Sequence, residues 1–181
     1  MVTVTGSLTI NYNIMILYSH RGNLNGPQPE LENKPDYIDK AINAGFSVEV
    51  DVWAQDKKYF LGHEGPDLEI EFDWLQERRD KIVIHAKNFK AFSNFTYQHL
   101  NRDSELAVFF HEQERYTLVY NCRNSNGIIV DGIIWAHDLK ELNSKSIIPL
   151  LSKEDIKENL PKRSIWGICS DYVNILKNES R

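Results

Sequence analysis

From Met15 onward the apolar positions of the chain fall into two rhythms that alternate. Short runs with a period of two, or with continuous apolar character, read as strands: MILYSH, SVEVDVWA, KIVIHAK, LAVFFHE, TLVYN, GIIVDGIIWA, SIIPLL and SIWGICSDY. Between them lie helical patterns. KPDYIDKAINAG puts Tyr37, Ile38, Ala41 and Ile42 on one face and stops at Gly45; FDWLQERRD, FKAFSNFTYQHLNR, HDLKELN and SKEDIKENL read as further helices, most of them short. NSNG and VDG mark turns. One strand stands out for its polar face. In SVEVDVW, Val48, Val50 and Val52 alternate with Glu49, Asp51 and Trp53, so two carboxylates share one face about 7 Å apart along the strand.

Strands alternating with helices imply a mainly parallel α/β sheet, either open and doubly wound or closed as a barrel. A dinucleotide-type open sheet carries a GxGxxG turn after its first strand, and SHRGNLNGPQPE has the wrong spacing. Polar residues instead gather where the early strands end: His20 and Arg21, Glu49 and Asp51, His85 and Lys87, His111 and Glu112. That is the habit of a barrel, whose strand ends and following loops build the site. The expected fold is therefore a shortened or incomplete (β/α)8 TIM barrel. At 181 residues the chain is shorter than the ~200 usual for that fold, so some helices should be missing. Residues 1–14 read as an N-terminal appendage, and residues 15–181 as a single domain.

Composition narrows the function classes. With 41% hydrophobic and 26% charged residues the chain is an ordinary globular mix, and a formal net charge of −5 argues against nucleic-acid binding by phosphate neutralisation. Cys122 and Cys169 form no CxxC or Cys/His knuckle, so neither a disulfide framework nor a zinc knuckle is signalled, and reduced thiols suit a cytoplasmic location. The N-terminus lacks the pattern of a signal peptide, and no run approaches the ~20 apolar residues of a transmembrane helix.

SHRG, followed by ENKPDYIDKAINAGFSVEVDVWAQDKKYFLGHE, resembles the glycerophosphodiester phosphodiesterase family. The likeness lies in a His-Arg-Gly strand end, a Glu-Asn helix start, a helix closing in Ala-x-x-x-Gly, a Glu-x-Asp strand and a following His-Asp, set here against GHE at residues 62–64, and it covers residues 17–64. IVIHAK is similar to a later family strand ending in Glu-x-Lys: Lys87 matches, and His85 stands where the family has glutamate. ICSDY could be the closing strand. The resemblance implies a phospholipase C-like phosphodiesterase barrel acting on a small-molecule or lipid-derived glycerophosphodiester. A substrate hydroxyl would attack phosphorus in line. His20 and His63 would be the acid/base pair, with His20 the nominal base, although spacing does not separate the roles. Glu49 and Asp51 would be metal ligands, and Arg21 and Lys87 phosphate-binding cations.

The residue chemistry agrees with those assignments. Two carboxylates inside a barrel need a cation, and hard oxygen ligands suit Mg2+ or Ca2+. Alternation puts Val83, His85 and Lys87 on one face, so His85 points where the glutamate would and can complete the ligand set, shifting preference towards Mn2+ or Zn2+. Other readings stay open: a structural network pairing the carboxylates with Arg21 and Lys87, a catalytically degenerate barrel that binds a phosphate or polyol, and a metal-dependent sugar-phosphate isomerase or lyase. His111, Glu112 and Asp171 read as solvent-facing strand-end residues, and Trp53 and Trp135 as core aromatics. Substrate headgroup and oligomeric state are open.

Overall fold

A computed structural model describes residues 15–100, 106–111 and 114–179. The expected appendage at 1–14, Glu112, and the last two residues of the FKAFSNFTYQHLNR helix lie outside the described residues. The chain runs β1 (Ile16–His20), α1 (Pro35–Asn43), β2 (Ser47–Gln55), β3 (Lys58–Leu61), β4 (Leu68–Ile70), α2 (Phe72–Glu77), β5 (Ile82–Ala86), α3 (Phe89–Leu100) and β6 (Ala107–Phe109). It continues through β7 (Tyr116–Val119), β8 (Ile133–Ala136), β9 (Ser146–Pro149), α4 (Lys153–Asn159), β10 (Gly167–Ser170) and α5 (Val173–Glu179). Among the described residues no helix is long and apolar enough to cross a membrane.

The ten strands form one curled mixed sheet, a half-barrel, and not the alternating (β/α)8 TIM barrel that the strand–helix repeat predicts. Parallel pairing links β6, β5, β2, β1, β10, β9 and β8 in that order, and β7 adds antiparallel to β8. Among the described residues, β6 and the β7 end are joined by an isolated antiparallel bridge, Val108 to Tyr120, and by no ladder.

Local chemistry explains the departures. Asp56 and Lys57 both adopt positive φ (44° and 68°), which gives a two-residue turn that folds β3 back antiparallel on the outer half of β2. A crossover helix is then unnecessary, and β4 extends the hairpin to an antiparallel edge. HDLKELN forms turns and no helix: the Asp138 carboxylate accepts from the Lys140 N–H and the Asn143 side chain from the Lys145 N–H, and such local bonds compete with the helical ladder. GIIVDGIIWA contributes only Ile133–Ala136 to the sheet, with Gly132 (φ 74°) closing the turn before it. Where the repeat does hold, the expected rules operate. α1 starts with Pro35 in its first turn, buries Ile38 and Ala41, and is followed by Gly45 in the left-handed region at φ 92°.

Side-chain alternation separates an inner from an outer core, and a third cluster of Ala136, Ile148, Leu150, Ile156, Ile168 and Leu176 packs around β9, β10, α4 and α5. On the outer face of the sheet, Val48, Val50, Val52, Ile82, Ile84 and Val108 pack with Ile38, Ala41, Leu75, Ala91 and Phe95 of the covering helices. The inner face carries a separate cluster of Tyr18, Val83, Ala107, Phe109, Ile133, Trp135, Ile147 and Cys169. These inner residues are the apolar floor of the curl. Two residues further along the same strands, the same face turns polar: Tyr18 leads to His20, Val83 to His85, Phe109 to His111, Trp135 to His137 and Cys169 to Asp171.

Candidate metal centre

β2 is the strand whose inner face is polar over most of its length, and register decides what meets it. His20 of β1 lies beside Glu49, and His85 of β5 lies beside Asp51. Cross-strand neighbours on one face have side chains in contact, so these four converge. His20 Nε2 is 3.9 Å from Glu49 Oε2, and His85 Nδ1 is 3.7 Å from Glu49 Oε1 and 3.0 Å from Asp51 Oδ1. One ligand atom from each of Glu49, Asp51 and His85 lies within 4.8 Å of the other two.

Both carboxylates are almost wholly removed from solvent, Glu49 at 2% and Asp51 at 0% relative exposure. Glu49 Oε2 and Asp51 Oδ1 nonetheless lack an aligned hydrogen-bond donor. A buried carboxylate oxygen without an aligned hydrogen bond is costly, and a divalent cation between the two would satisfy both. Two carboxylate oxygens and an imidazole nitrogen form an acceptable donor set for such an ion.

The two acids are held differently. Burial raises the pKa of Glu49, the adjacent Asp51 charge adds to the rise, and nearby His20, His85 and Arg21 offset it only in part. For Asp51 burial also pushes upward, but the close His85 ring, Arg21 and Lys87 outweigh it and leave the carboxyl well below the usual range. Arg21 Nε stands 2.9 Å from Asp51 Oδ2 and Lys87 Nζ stands 3.6 Å from Oδ1. Asn33 completes the grip: its amide donates to Asp51 Oδ2 at 2.9 Å, and its side-chain oxygen accepts from the Asp51 N–H at 3.0 Å.

The loop after β1 is built for this purpose. Arg21 (φ 54°) and Asn33 (φ 58°) both sit in the left-handed region, which asparagine tolerates and arginine does not favour. Such a conformation costs on the order of 1–3 kcal/mol and persists only where the surroundings impose it. Here the Arg21 N–H donates to the Glu49 carbonyl and the Arg21 carbonyl accepts from the Asn33 N–H. Gly22 follows at φ 95° with Tyr37 so close that an added Cβ would meet its ring at 2.7 Å.

His20 is oriented from behind. Its Nδ1 donates to Asp171 Oδ1 at 2.8 Å, and the same oxygen accepts from Asn23 at 2.7 Å. Burial lowers the His20 pKa, but Asp171 and Glu49 outweigh it, and the net shift is upward. His63 is different. It lies beyond β3 with its side chain 39% exposed, Nδ1 donating to Glu64 Oε1 at 2.6 Å. Partial burial lowers its pKa first, the Arg21 charge second, and Asp51 counters only in part. The Trp53 indole N–H donates to the Gly62 carbonyl at 2.7 Å and so ties the His63 segment to the inner face of β2.

Six of the seven residues singled out from the sequence are in contact, Glu49, Asp51 and His85 at the centre with His20, Arg21 and Lys87 beside them, whereas His63 lies beyond β3 and is linked to them only through the Arg21, Asp51 and Lys87 charges that act on it. Two sequence expectations fail nearby. Asp171 is 5% exposed and holds His20, and His111 is half-buried, its ring stacked on His85 at 4.6 Å and 2°. Their signal was the same period of two that selects His85, counted from Cys169 and Phe109. Trp135 is a core aromatic as expected, at 3% exposure. Asn33 had no periodic signal, because it acts from a loop. No protein-family model, curated protein or solved structure matches this chain.

Proposed function

We propose that the chain is a metal-dependent phosphodiester hydrolase acting on a glycerophosphodiester-like substrate. The observation that carries this reading is the pair of buried carboxylates, Glu49 and Asp51, each with an oxygen that lacks an aligned hydrogen bond, joined by His85 and flanked by the cations Arg21 and Lys87. Glu49, Asp51 and His85 would hold the divalent ion. When bound there, Mg2+ or a similar ion would draw charge from the phosphoryl oxygens as a Lewis acid. Arg21 and Lys87 bind the phosphodiester and offset the negative charge that grows in the transition state.

The histidines divide the proton work, in the reverse of the nominal order. His63, with a lowered pKa and Nδ1 engaged by Glu64, presents a neutral Nε2 as the base that takes the proton from the attacking hydroxyl. His20, with its imidazolium favoured by Asp171, supplies a proton from Nε2 to the departing alcohol oxygen as the P–O bond breaks, leaving a cyclic phosphodiester that water then opens with the roles of the two histidines exchanged, His20 taking the water proton and His63 returning its proton to the ring oxygen that leaves. Asp171 is a positioning residue here: it fixes which nitrogen of His20 faces the centre.

The test is alcohol release from a panel of small glycerophosphodiesters with Mg2+, Ca2+, Mn2+ or chelator. Metal-dependent release supports the reading. Tight phosphodiester binding with no release under any metal replaces it with a binding protein, and turnover of a sugar phosphate without P–O cleavage replaces it with an isomerase or lyase.

A further inference from the structure

One layer of the inner face is unused by the metal centre. On β6 and β8 the rings of Phe109 and Trp135 stack at 4.3 Å between centroids and 16°. Two residues on, the same faces bring up His111 and His137, whose Nε2 atoms stand 3.2 Å apart with ring centroids at 4.4 Å. The pair is braced on both sides. His111 lies flat on His85, and the His137 backbone N–H donates to the Arg115 carbonyl at 2.8 Å.

Two imidazole nitrogens bound to one tetrahedral ion at about 2.0–2.1 Å each must lie about 3.3–3.4 Å apart. The observed separation is close to that value without movement of either strand. A pocket of about 520 Å³ opens on the pair and is lined besides by Glu114, Arg115, Asp138 and Lys140. It leaves room for water or an exogenous ligand to complete a coordination sphere. Arg115 is turned towards Asp138, 3.5 Å away.

We infer that His111 and His137 form a second cation site, distinct from the Glu49–Asp51–His85 centre and selective for Zn2+ or similar transition ions over Mg2+ and Ca2+. The selectivity follows from the donors. Two neutral imidazoles bring no negative charge and no hard oxygen, which Mg2+ and Ca2+ require, whereas Zn2+ accepts imidazole readily. The inference stands whether or not the protein cleaves phosphodiesters, because it concerns binding alone. The competing structure is two imidazoles sharing one hydrogen bond with no affinity for metal.

Calorimetric titration of the chelator-treated full chain with Zn2+ and, separately, Mg2+ decides between them. The wild type should take up Zn2+ at two sites and Mg2+ at one. His137→Gln should lose one Zn2+ equivalent and keep its Mg2+ isotherm, and His111→Gln should repeat that Zn2+ loss, with thermal unfolding confirming that each variant is folded. The Glu49→Gln/Asp51→Asn double variant should lose Mg2+ uptake and retain a Zn2+ equivalent that depends on His137. Wild-type Zn2+ stoichiometry and affinity in both folded histidine variants would overturn the site.

Discussion

Replacing Glu49 by glutamine should move stability in opposite directions with and without metal. In the metal-free protein the Glu49 carboxylate is buried, has one oxygen without a donor, and faces the Asp51 charge. An unsatisfied buried polar group costs about 1–3 kcal/mol, and more when charged. Neutralising it with a side chain of nearly equal shape should recover about 1–2 kcal/mol, since the new amide can donate towards Asp51 but still leaves some bonding capacity unused. For a chain of this size that is a rise in Tm of about 2–8 °C. With metal the order reverses. A ligand at about 100 times its Kd adds about 2.7 kcal/mol to the wild type, or about 5–11 °C, and the variant should gain little of it. The pH dependence adds a second check. A carboxyl with a raised folded pKa loses stability as pH rises from its unfolded value near 4.5 through the folded one. The metal-free wild type should therefore fall relative to Glu49→Gln across that interval, and the two should run parallel below it. Differential scanning fluorimetry with and without Mg2+, from acid to neutral pH, reads all three effects. A variant less stable than wild type in chelator, with an unchanged Mg2+ response, would refute the claim that Glu49 is an uncompensated charge awaiting an ion.

Further outcomes follow from the neighbours. In metal-free protein followed by NMR, His20 should titrate above the ordinary 6.5 and His63 below it, and Asp171→Asn should bring His20 down; coincident titrations would contradict the division of roles. By linkage the His20 contribution to stability is present below its unfolded pKa and lost as pH rises through the folded one. His20→Ala and His63→Ala should each lower kcat by at least about 10²-fold with substrate and metal saturating, and wild-type rates in both would remove them from the chemistry. His85→Glu should shift metal preference towards Mg2+ or Ca2+, and identical preference in wild type, His85→Glu and His85→Ala would show that His85 holds no ion. Asn33→Ala removes two hydrogen bonds to Asp51 and a residue suited to φ 58°, so a loss of about 2–4 kcal/mol in denaturant melts is expected, and a change under about 0.5 kcal/mol would contradict it.

Much of the site was legible because it is written in strand alternation. Glu49, Asp51 and His85 share a face by a period of two, and that period survives whatever the sheet does at its edges. The overall architecture was less legible because connections decide it. Nothing in the apolar rhythm distinguishes a parallel strand after a crossover from an antiparallel one after a tight turn, and QDKK folded back through two left-handed residues. HDLKELN carries a helical spacing but also two residues, Asp138 and Asn143, whose side chains bond the backbone two positions on. The roles of Asn33 and Asp171 are not legible for a related reason: each acts through a partner far away in the chain, Asp51 and His20, and only the folded register brings them together.

The most direct test of the central claim is the initial rate of alcohol release from a glycerophosphodiester, measured for wild type and Asp51→Asn across a Mg2+ or Mn2+ titration. Asp51 contacts Arg21, Lys87 and His85 and would be a ligand of the proposed ion, so its neutralisation should abolish the metal-dependent rate while His20 keeps its Asp171 contact. A saturable metal-dependent rate in wild type that is absent in a folded Asp51→Asn variant is the predicted result. No release in wild type with any divalent ion, or equal rates in the two proteins, would contradict it.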